Sequence, residues 1–304
     1  MVVSDRSATR SCEVAGERRQ LINLAYRFLG SLAEAEDAVQ ETYARWYALS
    51  PQEQRAVMSP GAWLARVAAR VCLDVLGSAR ARRERYVGAW IPEPVPDAAE
   101  WGGGTDPAEQ VTLDESVDMA LLVVLETMTP AERVAFVLHD VFRYPHAEVA
   151  TVLGRTPEAC RQLASSARRR ARTARPLSAP TAQQAGVVGD FKRAWESKDI
   201  AALVGLLTPD ATLIADGGGL VGAALRPVNG AGDIVRYLTG IGDRAPVMDL
   251  LERTVNGRAG LVARTGTGTT ATVAAFHVAP DGRVTHIWAV RNPEKLRLWS
   301  DGVK

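Results

Sequence analysis

The chain has 304 residues, 47% of them apolar, and a formal net charge of +1. This length and apolar content exclude a wholly disordered chain and predict roughly two or three domains with cores of their own. The three cysteines are widely separated and lack histidines at ligand spacing, so no disulfide, zinc site or other cofactor is expected. The longest aliphatic run, 119–125, is too short to span a bilayer and no signal-peptide pattern is present, which favours a cytoplasmic protein.

Residues 12–88 form the first predicted domain, in which the apolar residues recur at helical spacing and no strand pattern intervenes. Ser31 with Glu34 three residues later is a capping box, the signature of a helix start. Ser59 followed by Pro60 predicts the start of a further helix. The first domain is therefore expected to be all-α.

A second all-α domain is predicted at residues 114–175, after a linker at 89–113. The linker is rich in proline, glycine and acidic residues, so it cannot hold a regular element. Within the second domain, Thr129, Pro130 and Glu132 mark another capped helix start. Residues near 175–183 form a second, shorter linker.

The end of the second domain has the layout of a helix-turn-helix, with two short helices joined at Gly154. Thr156 can cap the second of these helices, and Pro157 suits its first turn. Its apolar face is predicted to carry Ala159, Leu163 and Ala167. Its opposite face is polar and can enter a major groove; this face carries Glu158, Arg161, Gln162, Ser165, Arg168 and Arg169.

Positive charge is concentrated in this second helix, which we call the arginine helix. Residues 150–175 contain seven arginines and one acidic residue, so this window carries +6 and the rest of the chain −5. Arg161 and Gln162 suit bidentate contacts with base edges in a major groove. Arg155, Arg168 and Arg169 suit phosphate contacts. The same charges also suit a solvated helix C-terminus, which is the simpler structural explanation.

Residues 183–304 form the third predicted domain, which has a different pattern. Two helical stretches, at 187–197 and 200–207, precede runs of alternating and β-branched residues. Asn256-Gly257 and Asp281-Gly282 between those runs are hairpin-turn signals. The pattern predicts an α+β domain built on a curled antiparallel sheet.

The two helical domains together resemble the extracytoplasmic-function (ECF) group of bacterial sigma factors. The segment 33–47 is similar to the family's polymerase-docking helix, which implies contacts with core RNA polymerase by Asp37, Gln40 and Glu41. The segment 62–84 is similar to the helix that melts and reads the minus-ten promoter element, and residues 114–175 are similar to the domain that reads the minus-thirty-five element. For the helix at 62–84, the resemblance implies DNA contacts by Arg66, Arg70, Asp74, Arg80, Arg82 and Arg83.

Three short motifs narrow the resemblance to the ECF group with a C-terminal SnoaL-like (NTF2-like) cone domain. WIPEP, DGGGL and NPEKL resemble that group's WLPEP, DGGGK and NPDKL motifs, with a departure at Leu220. The group implies a fused domain that modulates sigma activity in place of a separate anti-sigma protein. The implied interdomain residues are Trp90, Pro92, Glu93, Pro94, Asp216, Gly217, Gly218, Gly219, Asn292, Pro293, Glu294 and Lys295.

A cone of this type can hold a small molecule, and Asp216, His277 and His286 are its polar candidates. Each also has a structural explanation. Histidines on strands are commonly satisfied structural residues, and strand alternation suggests that these two point away from each other. Asp216 precedes three glycines, so its carboxylate can cap the backbone N–H groups of a turn.

The sequence therefore predicts a sigma factor that is not itself an enzyme and binds core RNA polymerase and promoter DNA, but no membrane. Two alternatives stay open. One is a one-component regulator whose C-terminal domain senses a ligand, although this leaves residues 12–88 unexplained. The other is a SnoaL-like cyclase or isomerase fused to a DNA-binding module.

Overall fold

The structure, a computed structural model, describes residues 16–83, 86–97, 118–174, 178–242 and 248–299. The chain divides into two compact units. The first comprises Met1–Arg82, Gly104–Thr112 and Val124–Ala174, and the second comprises Arg83–Gly103, Leu113–Val123 and Arg175–Lys304. The described part of the 89–113 linker therefore belongs to the same unit as the C-terminal domain. Residues 12–15 and 98–117 lie outside the described residues.

Four helices form the first half of the first unit, and short polar side chains start three of them. The helices are α1 (Arg18–Leu29), α2 (Leu32–Tyr47), α3 (Pro51–Ala56) and α4 (Pro60–Arg83). Ser31 accepts a hydrogen bond from the Glu34 N–H at 3.4 Å, and Ser59 accepts one from the Ala62 N–H at 3.4 Å. The predicted helix starts at Ser31 and Ser59 are confirmed.

The second half of this unit carries the predicted helix-turn-helix. After α5 (Met119–Glu126), which spans the boundary between the units, come α6 (Pro130–Phe136), a π-helical turn (Val137–Val141), α7 (His146–Leu153) and α8 (Pro157–Ala174). Thr129 and Glu132 form the complete capping box expected from the sequence. Gly154 closes α7 with φ of 62°, a left-handed conformation that favours glycine.

The two helical halves are joined through a buried arginine. Arg133 on α6 is 3% exposed, and its Nη1 donates to the Phe28 carbonyl oxygen at the end of α1 at 2.8 Å. The same nitrogen lies 2.7 Å from Glu126 Oε1. A buried guanidinium needs such partners because an unpaired charge in the core is costly.

The second unit contains three helices and a six-stranded mixed sheet. The elements are α9 (Thr181–Glu196), α10 (Ile200–Leu206), β1 (Leu207–Asp216), β2 (Val228–Asn229), α11 (Ala231–Gly242), β3 (Met248–Val255), β4 (Arg258–Thr265), β5 (Thr270–Val278) and β6 (Val284–Val290), and two 3₁₀ turns follow at Pro293–Lys295 and Arg297–Trp299. The strand order is β2-β1-β6-β5-β4-β3.

The prediction of an antiparallel sheet was wrong for one pair of strands. Strands β3 to β6 form an antiparallel meander, but β1 runs parallel to β6. The first and last strands of the domain are thus neighbours, second and third from one edge of the sheet. Such a pairing between distant segments leaves no turn signal in the sequence. The helix α11 and the strand β3 were also not predicted.

The two faces of the sheet have different cores. The inner face packs on the helices through residues such as Phe191, Leu213 and Phe276. The outer face, which includes Val262 and Trp288, is covered by residues from outside the sheet. These covering residues are Ile91, Met119, Ala120, Leu296 and Trp299. The linker is therefore part of the outer core.

No helix in the described part of the chain is long and apolar enough to cross a membrane. Across the same residues, no three histidine, cysteine or acidic side chains are grouped closely enough to hold a metal ion. Cys72 and Cys160 are buried free thiols.

Candidate DNA-binding and linker sites

The arginine helix, α8, exposes the polar face predicted for it. Thr156 accepts a hydrogen bond from the Ala159 N–H at 3.2 Å, which confirms it as the helix cap. The buried stripe differs from the prediction, because Ala159 and Leu163 are only half-buried. The fully buried residues are Cys160, Ala164 and Ala167. Their small side chains allow α8 to pack closely on α6.

The predicted DNA-contacting side chains in and just before α8 fall into two groups. Arg161, Gln162, Ser165 and Arg169 of the helix are exposed, as are Arg155 in the turn before it and Glu158. Arg168 is half-buried instead, and its Nε lies 2.7 Å from Asp140 Oδ1 in an ion pair. A phosphate contact by Arg168 would therefore compete with an internal carboxylate.

The candidate residues of α4 lie along one side of that helix. Asp74 is exposed and Arg66 is half-buried. Arg70 Nη1 donates to the Val152 carbonyl oxygen at 2.9 Å, in the last turn of α7. The predicted minus-ten helix is thus hydrogen-bonded to the first helix of the helix-turn-helix. The side chains of Arg80, Arg82 and Arg83 lie outside the described residues, although α4 continues through them.

The predicted polymerase contacts share an exposed face of α2. Asp37, Gln40 and Glu41 are all exposed, whereas Ala38 and Thr42 on the other side are buried. Glu41 Oε1 accepts a hydrogen bond from Arg45 Nε at 2.9 Å. This face is available for a partner.

A polar cluster at the end of β1 joins the linker to the C-terminal domain, and we call it the linker site. It comprises Tyr86, Trp90, Asp216, Asn292 and Lys295. Asp216 is completely buried. Its Oδ1 accepts from the Tyr86 hydroxyl at 2.7 Å and from the Gly218 N–H at 3.0 Å. Its Oδ2 accepts from the Ile91 N–H at 3.0 Å and from Lys295 Nζ at 2.7 Å.

The cation of the linker site is Lys295, which is only 8% exposed. Besides Asp216, its Nζ donates to the Ile91 carbonyl oxygen, so it contacts the linker directly. The same Nζ lies 4.0 Å from the centre of the Trp90 ring and 5.1 Å from that of Tyr86. Aromatic faces attract a desolvated ammonium group, so these contacts also stabilise the buried charge.

Asn292 connects the linker to the C-terminal 3₁₀ turns. Its Nδ2 donates to the Tyr86 hydroxyl at 2.8 Å, and its Oδ1 accepts from the Glu294 N–H at 3.0 Å. Burial and the hydrogen bond to Asp216 raise the pKa of Tyr86 above its ordinary value, so the hydroxyl keeps its proton for Asp216. Pro293 and Glu294 themselves are exposed.

The glycines of DGGGL leave room for these contacts. Gly218 has φ of 62°, and a Cβ on it would lie 2.4 Å from Asn292 Nδ2. A Cβ on Gly219 would lie 3.0 Å from Val87 of the linker. Leu220, where the resembling group favours lysine, is 59% exposed. The cation beside Asp216 is Lys295 of NPEKL.

The rest of WIPEP lies buried along the outer face of the sheet. Trp299 Nε1 donates to the Pro94 carbonyl oxygen at 2.9 Å. Val95 and Asn256 exchange two hydrogen bonds, at 2.8 and 3.2 Å. Pro92 and Glu93 are buried within the same stretch. This segment forms no helix or long strand, as predicted. These hydrogen bonds nevertheless fix it against the C-terminal domain.

The three polar candidates for the cone cavity do not line it. Strand alternation turns Asp216, His277 and His286 away from the inner face, towards which Ala215 and Phe276 point. His277 and His286 are cross-strand partners, with ring centres 6.1 Å apart, so the expectation that they point away from each other was wrong. Residues paired across neighbouring strands share a face whatever their parity along the chain.

Both histidines belong to a chain of hydrogen bonds outside the cavity. His277 Nδ1 is 2.7 Å and His286 Nδ1 is 3.0 Å from the Thr285 hydroxyl, while His277 Nε2 is 2.9 Å from the Ser178 hydroxyl. Burial lowers the pKa of His286, which keeps that ring neutral. These hydrogen bonds give both histidines a structural role.

Comparison with known proteins identifies the class of protein. The Sigma-70 region 2 family matches residues 14–83, and the Sigma-70 region 4 family matches residues 118–170. The matched segments contain the α2 and α4 faces and the arginine helix. They define a sigma factor that carries these two regions, one in each helical half of the first unit.

Individual relatives narrow the class. "ECF RNA polymerase sigma factor SigJ" from Mycobacterium tuberculosis is 39% identical over 290 residues, which cover 92% of this chain and 90% of SigJ. The crystal structure of SigJ superposes with a TM-score of 0.76 at 34% identity, covering 96% of this chain and all of that one. "Probable ECF RNA polymerase sigma factor SigI" from the same species is 39% identical over 63% of this chain and 64% of its own length.

The chain belongs to the ECF sigma factors. The predicted order of two helical sigma domains followed by an α+β domain is confirmed. The likeness of the third domain to SnoaL-like proteins stays a prediction.

Proposed function

We propose that this sigma factor binds core RNA polymerase, directs initiation at specific promoters, and is regulated in cis through its linker site. The polar face of the arginine helix carries the first part of the proposal. Four predicted DNA contacts are exposed along it and Arg155 is exposed just before it, while the opposite stripe is buried, as a helix lying in a major groove requires. Arg161 and Gln162 read base edges, and Arg155 and Arg169 bind phosphates.

Region 2 supplies the other contacts of this proposal. Asp37, Gln40 and Glu41 bind core polymerase from the exposed face of α2. The minus-ten element is contacted along α4, through Arg66, Arg70, Asp74, Arg80, Arg82 and Arg83. Because polymerase holds the complex together, each DNA surface needs only modest affinity of its own.

The hydrogen bond between Arg70 and Val152 implies that the two sigma regions separate when the promoter is bound. The two promoter elements lie about 25 base pairs apart, which is roughly 85 Å at about 3.4 Å per base pair. A helix that reads one element cannot remain bonded to the helix-turn-helix that reads the other. The contact at 2.9 Å therefore belongs to a closed form of the free protein.

The linker site is the proposed control point of this opening. The linker sets how far the two sigma regions can move apart, and residues 91–96 are buried against the C-terminal domain. Asp216 holds the linker through Tyr86 and Ile91, and Lys295 closes the same site. Breaking these contacts would detach residues 91–96 from the domain and so lengthen the free part of the linker. The completely buried Asp216 carboxylate, shared by linker and domain, is the observation that carries the regulatory proposal.

In this proposal the C-terminal domain regulates and does not catalyse. The described residues that line its cavity include no histidine and no acidic side chain, which are the commonest general acids and bases. This favours regulation over the cyclase or isomerase alternative.

Promoter-dependent transcription with purified core polymerase tests the proposal. The full chain, chains ending near residue 175 and near residue 292, and the full-length Lys295→Met variant would be compared on a cognate promoter. We expect initiation from every form that folds, at levels that differ between the full chain and the three altered forms. Equal output from all four would refute regulation by the linker site, and specific initiation by none would refute the sigma assignment.

Binding to duplex DNA without polymerase separates the one-component alternative. We expect weak binding by the full chain alone, because polymerase supplies much of the affinity. Tight, sequence-specific binding as a dimer would favour a one-component regulator.

A further inference from the structure

The C-terminal domain encloses a mainly apolar cavity of about 110 Å³ between the inner face of its sheet and its helices. Its walls include Phe191, Leu261, Phe276 and Ile287. Their aromatic and aliphatic surfaces provide no charge and favour an apolar occupant.

One end of this cavity is cationic. Arg291, the residue after β6, lines the cavity, and its Nη1 donates to the Gly222 carbonyl oxygen. Its Nε is buried and has no hydrogen-bond partner among the described residues. Arg291 is half-buried, so water reaches part of its guanidinium while the Nε side faces inwards. No acidic side chain is among the described lining residues, so a ligand anion is the counter-charge that this side of the guanidinium suits.

Tyr237 adds a hydrogen-bond donor to the cavity. Its hydroxyl oxygen accepts from the Ala224 N–H at 3.0 Å, so the hydroxyl proton is left to donate. Thr272 contributes a second hydroxyl to the lining. These donors, like the guanidinium, suit an oxygen acceptor on a ligand.

We infer that the cavity binds a short aliphatic carboxylate, with its carboxylate on Arg291 and its alkyl group among the apolar walls. The volume sets the size, because a cavity of about 150 Å³ accommodates benzene with its six carbons. A ligand of roughly four to six non-hydrogen atoms fits the space found here. Isobutyrate, with four carbons and two oxygens, is a suitable probe.

The position of Arg291 connects this site to the linker site. The backbone N–H of Arg291 donates to the Asp216 carbonyl oxygen at 2.7 Å, and the next residue is Asn292. Its guanidinium also holds Gly222, just beyond the DGGGL turn. A carboxylate bound to Arg291 therefore acts on both chain segments that position Asp216 and Asn292. This regulatory consequence rests on the proposed function, whereas the binding itself does not.

Calorimetric titration of the full chain with isobutyrate tests the binding. We expect saturable binding, and binding roughly tenfold or more weaker for the neutral isostere isobutyramide, because a hydrogen bond to a charged group is lost. Arg291→Gln should weaken isobutyrate binding by a similar factor. Arg236→Gln is the matched control, since Arg236 is an exposed arginine of the same domain, and it should bind like the unmodified chain.

Two further measurements keep the test decisive if Arg291→Gln disturbs folding. Ala274→Leu fills the cavity and leaves Arg291 in place, so it should abolish binding while thermal unfolding confirms a folded domain. Phosphate should not compete with isobutyrate, because it cannot use the apolar walls. Equal affinity for isobutyrate and isobutyramide, no saturable binding, or equal competition by phosphate would each overturn the inference.

Transcription measured with and without isobutyrate distinguishes this inference from the proposed function. Isobutyrate should change promoter output by the unmodified chain and have no effect on Arg291→Gln. Binding without any change in output would support the site and overturn its link to regulation. Loss of initiation in every sample would refute the sigma function and leave the calorimetric result to decide the site.

Discussion

The arginine helix and the linker site place charge in opposite environments. Arg161 and Arg169 are exposed, where water solvates them at little cost to folding. Asp216 and Lys295 are buried, where each charge requires the other and its hydrogen bonds. The exposed charges are thus free to bind a polyanion, whereas the buried ones hold two parts of the chain together.

This difference predicts how substitutions in the two regions behave. A change in the arginine helix alters binding and leaves folding intact. A change in the linker site destabilises the fold and weakens the attachment of the linker. The reason is that its buried polar groups depend on one another as a single hydrogen-bond network.

The largest expected effect comes from Asp216→Ala, which leaves the Lys295 ammonium buried without its carboxylate. We expect the second unit to lose about 3–5 kcal/mol of its free energy of unfolding. Urea unfolding followed by tryptophan fluorescence measures it, since Trp90 and Trp299 both lie in this unit. The control is Asp233→Ala, which breaks an exposed ion pair with Arg236 and should cost about 1 kcal/mol or less. Equal losses in the two variants would contradict the distinction.

The next effect is expected at Arg161, the proposed base reader. Arg161→Ala should reduce discrimination at one base pair of the minus-thirty-five element by about 1–3 kcal/mol. Its thermal unfolding should stay unchanged because the side chain is exposed. Initiation from promoters mutated one position at a time measures this, with Arg193→Ala in the C-terminal domain as the control. Weakening that is uniform over all positions would show that Arg161 reads no base.

A smaller and sequence-independent effect is expected at Arg169, the proposed phosphate contact. Arg169→Ala removes one neutralised phosphate, so the slope of log affinity against log salt concentration should fall by about 0.9. Polymerase-bound promoter affinity measured at several salt concentrations would give this slope. An unchanged slope would mean that Arg169 contacts no phosphate.

The smallest expected effect is a pH dependence of the first unit. The His139 and His146 rings stack with centres 3.7 Å apart, and burial, followed by the neighbouring His139, lowers the pKa of His146. The unfolded chain therefore binds a proton more readily than the folded one. The free energy of unfolding should therefore fall as pH decreases below about 6.5.

His146→Phe tests this effect because it keeps an aromatic ring and removes the titration. Urea unfolding at about pH 7.5 and pH 5.5 should show a smaller difference for the variant than for the unmodified chain. The same difference in both proteins would exclude His146 as the source.

Local signals predicted much of the first unit correctly. The caps at Thr129 and Thr156 depend only on neighbouring residues, and both are present. The buried stripe of α8 was right at Ala167 and one residue out at the other two positions, where Cys160 and Ala164 are buried in place of Ala159 and Leu163. Helical periodicity predicts that a helix has an apolar face more reliably than it predicts which residues lie at the centre of that face.

The second unit was harder to predict because its contacts join distant segments. The composition of the linker indicated an irregular segment and gave no sign of the donors that hold it, Lys295 and Trp299, about 200 residues further along. The parallel pairing of β1 with β6 is equally remote in sequence. Family motifs identified Asp216, but only the fold shows that Tyr86 is its partner.

The order of the linker-site residues along the chain has a consequence for synthesis. Tyr86 precedes region 4, whereas Asn292 and Lys295 follow both sigma regions. Domains emerge and fold from the N-terminus during translation. Both sigma regions are therefore made before the residues that close the linker site leave the ribosome. Every newly made molecule passes through an interval in which its sigma regions exist without that restraint.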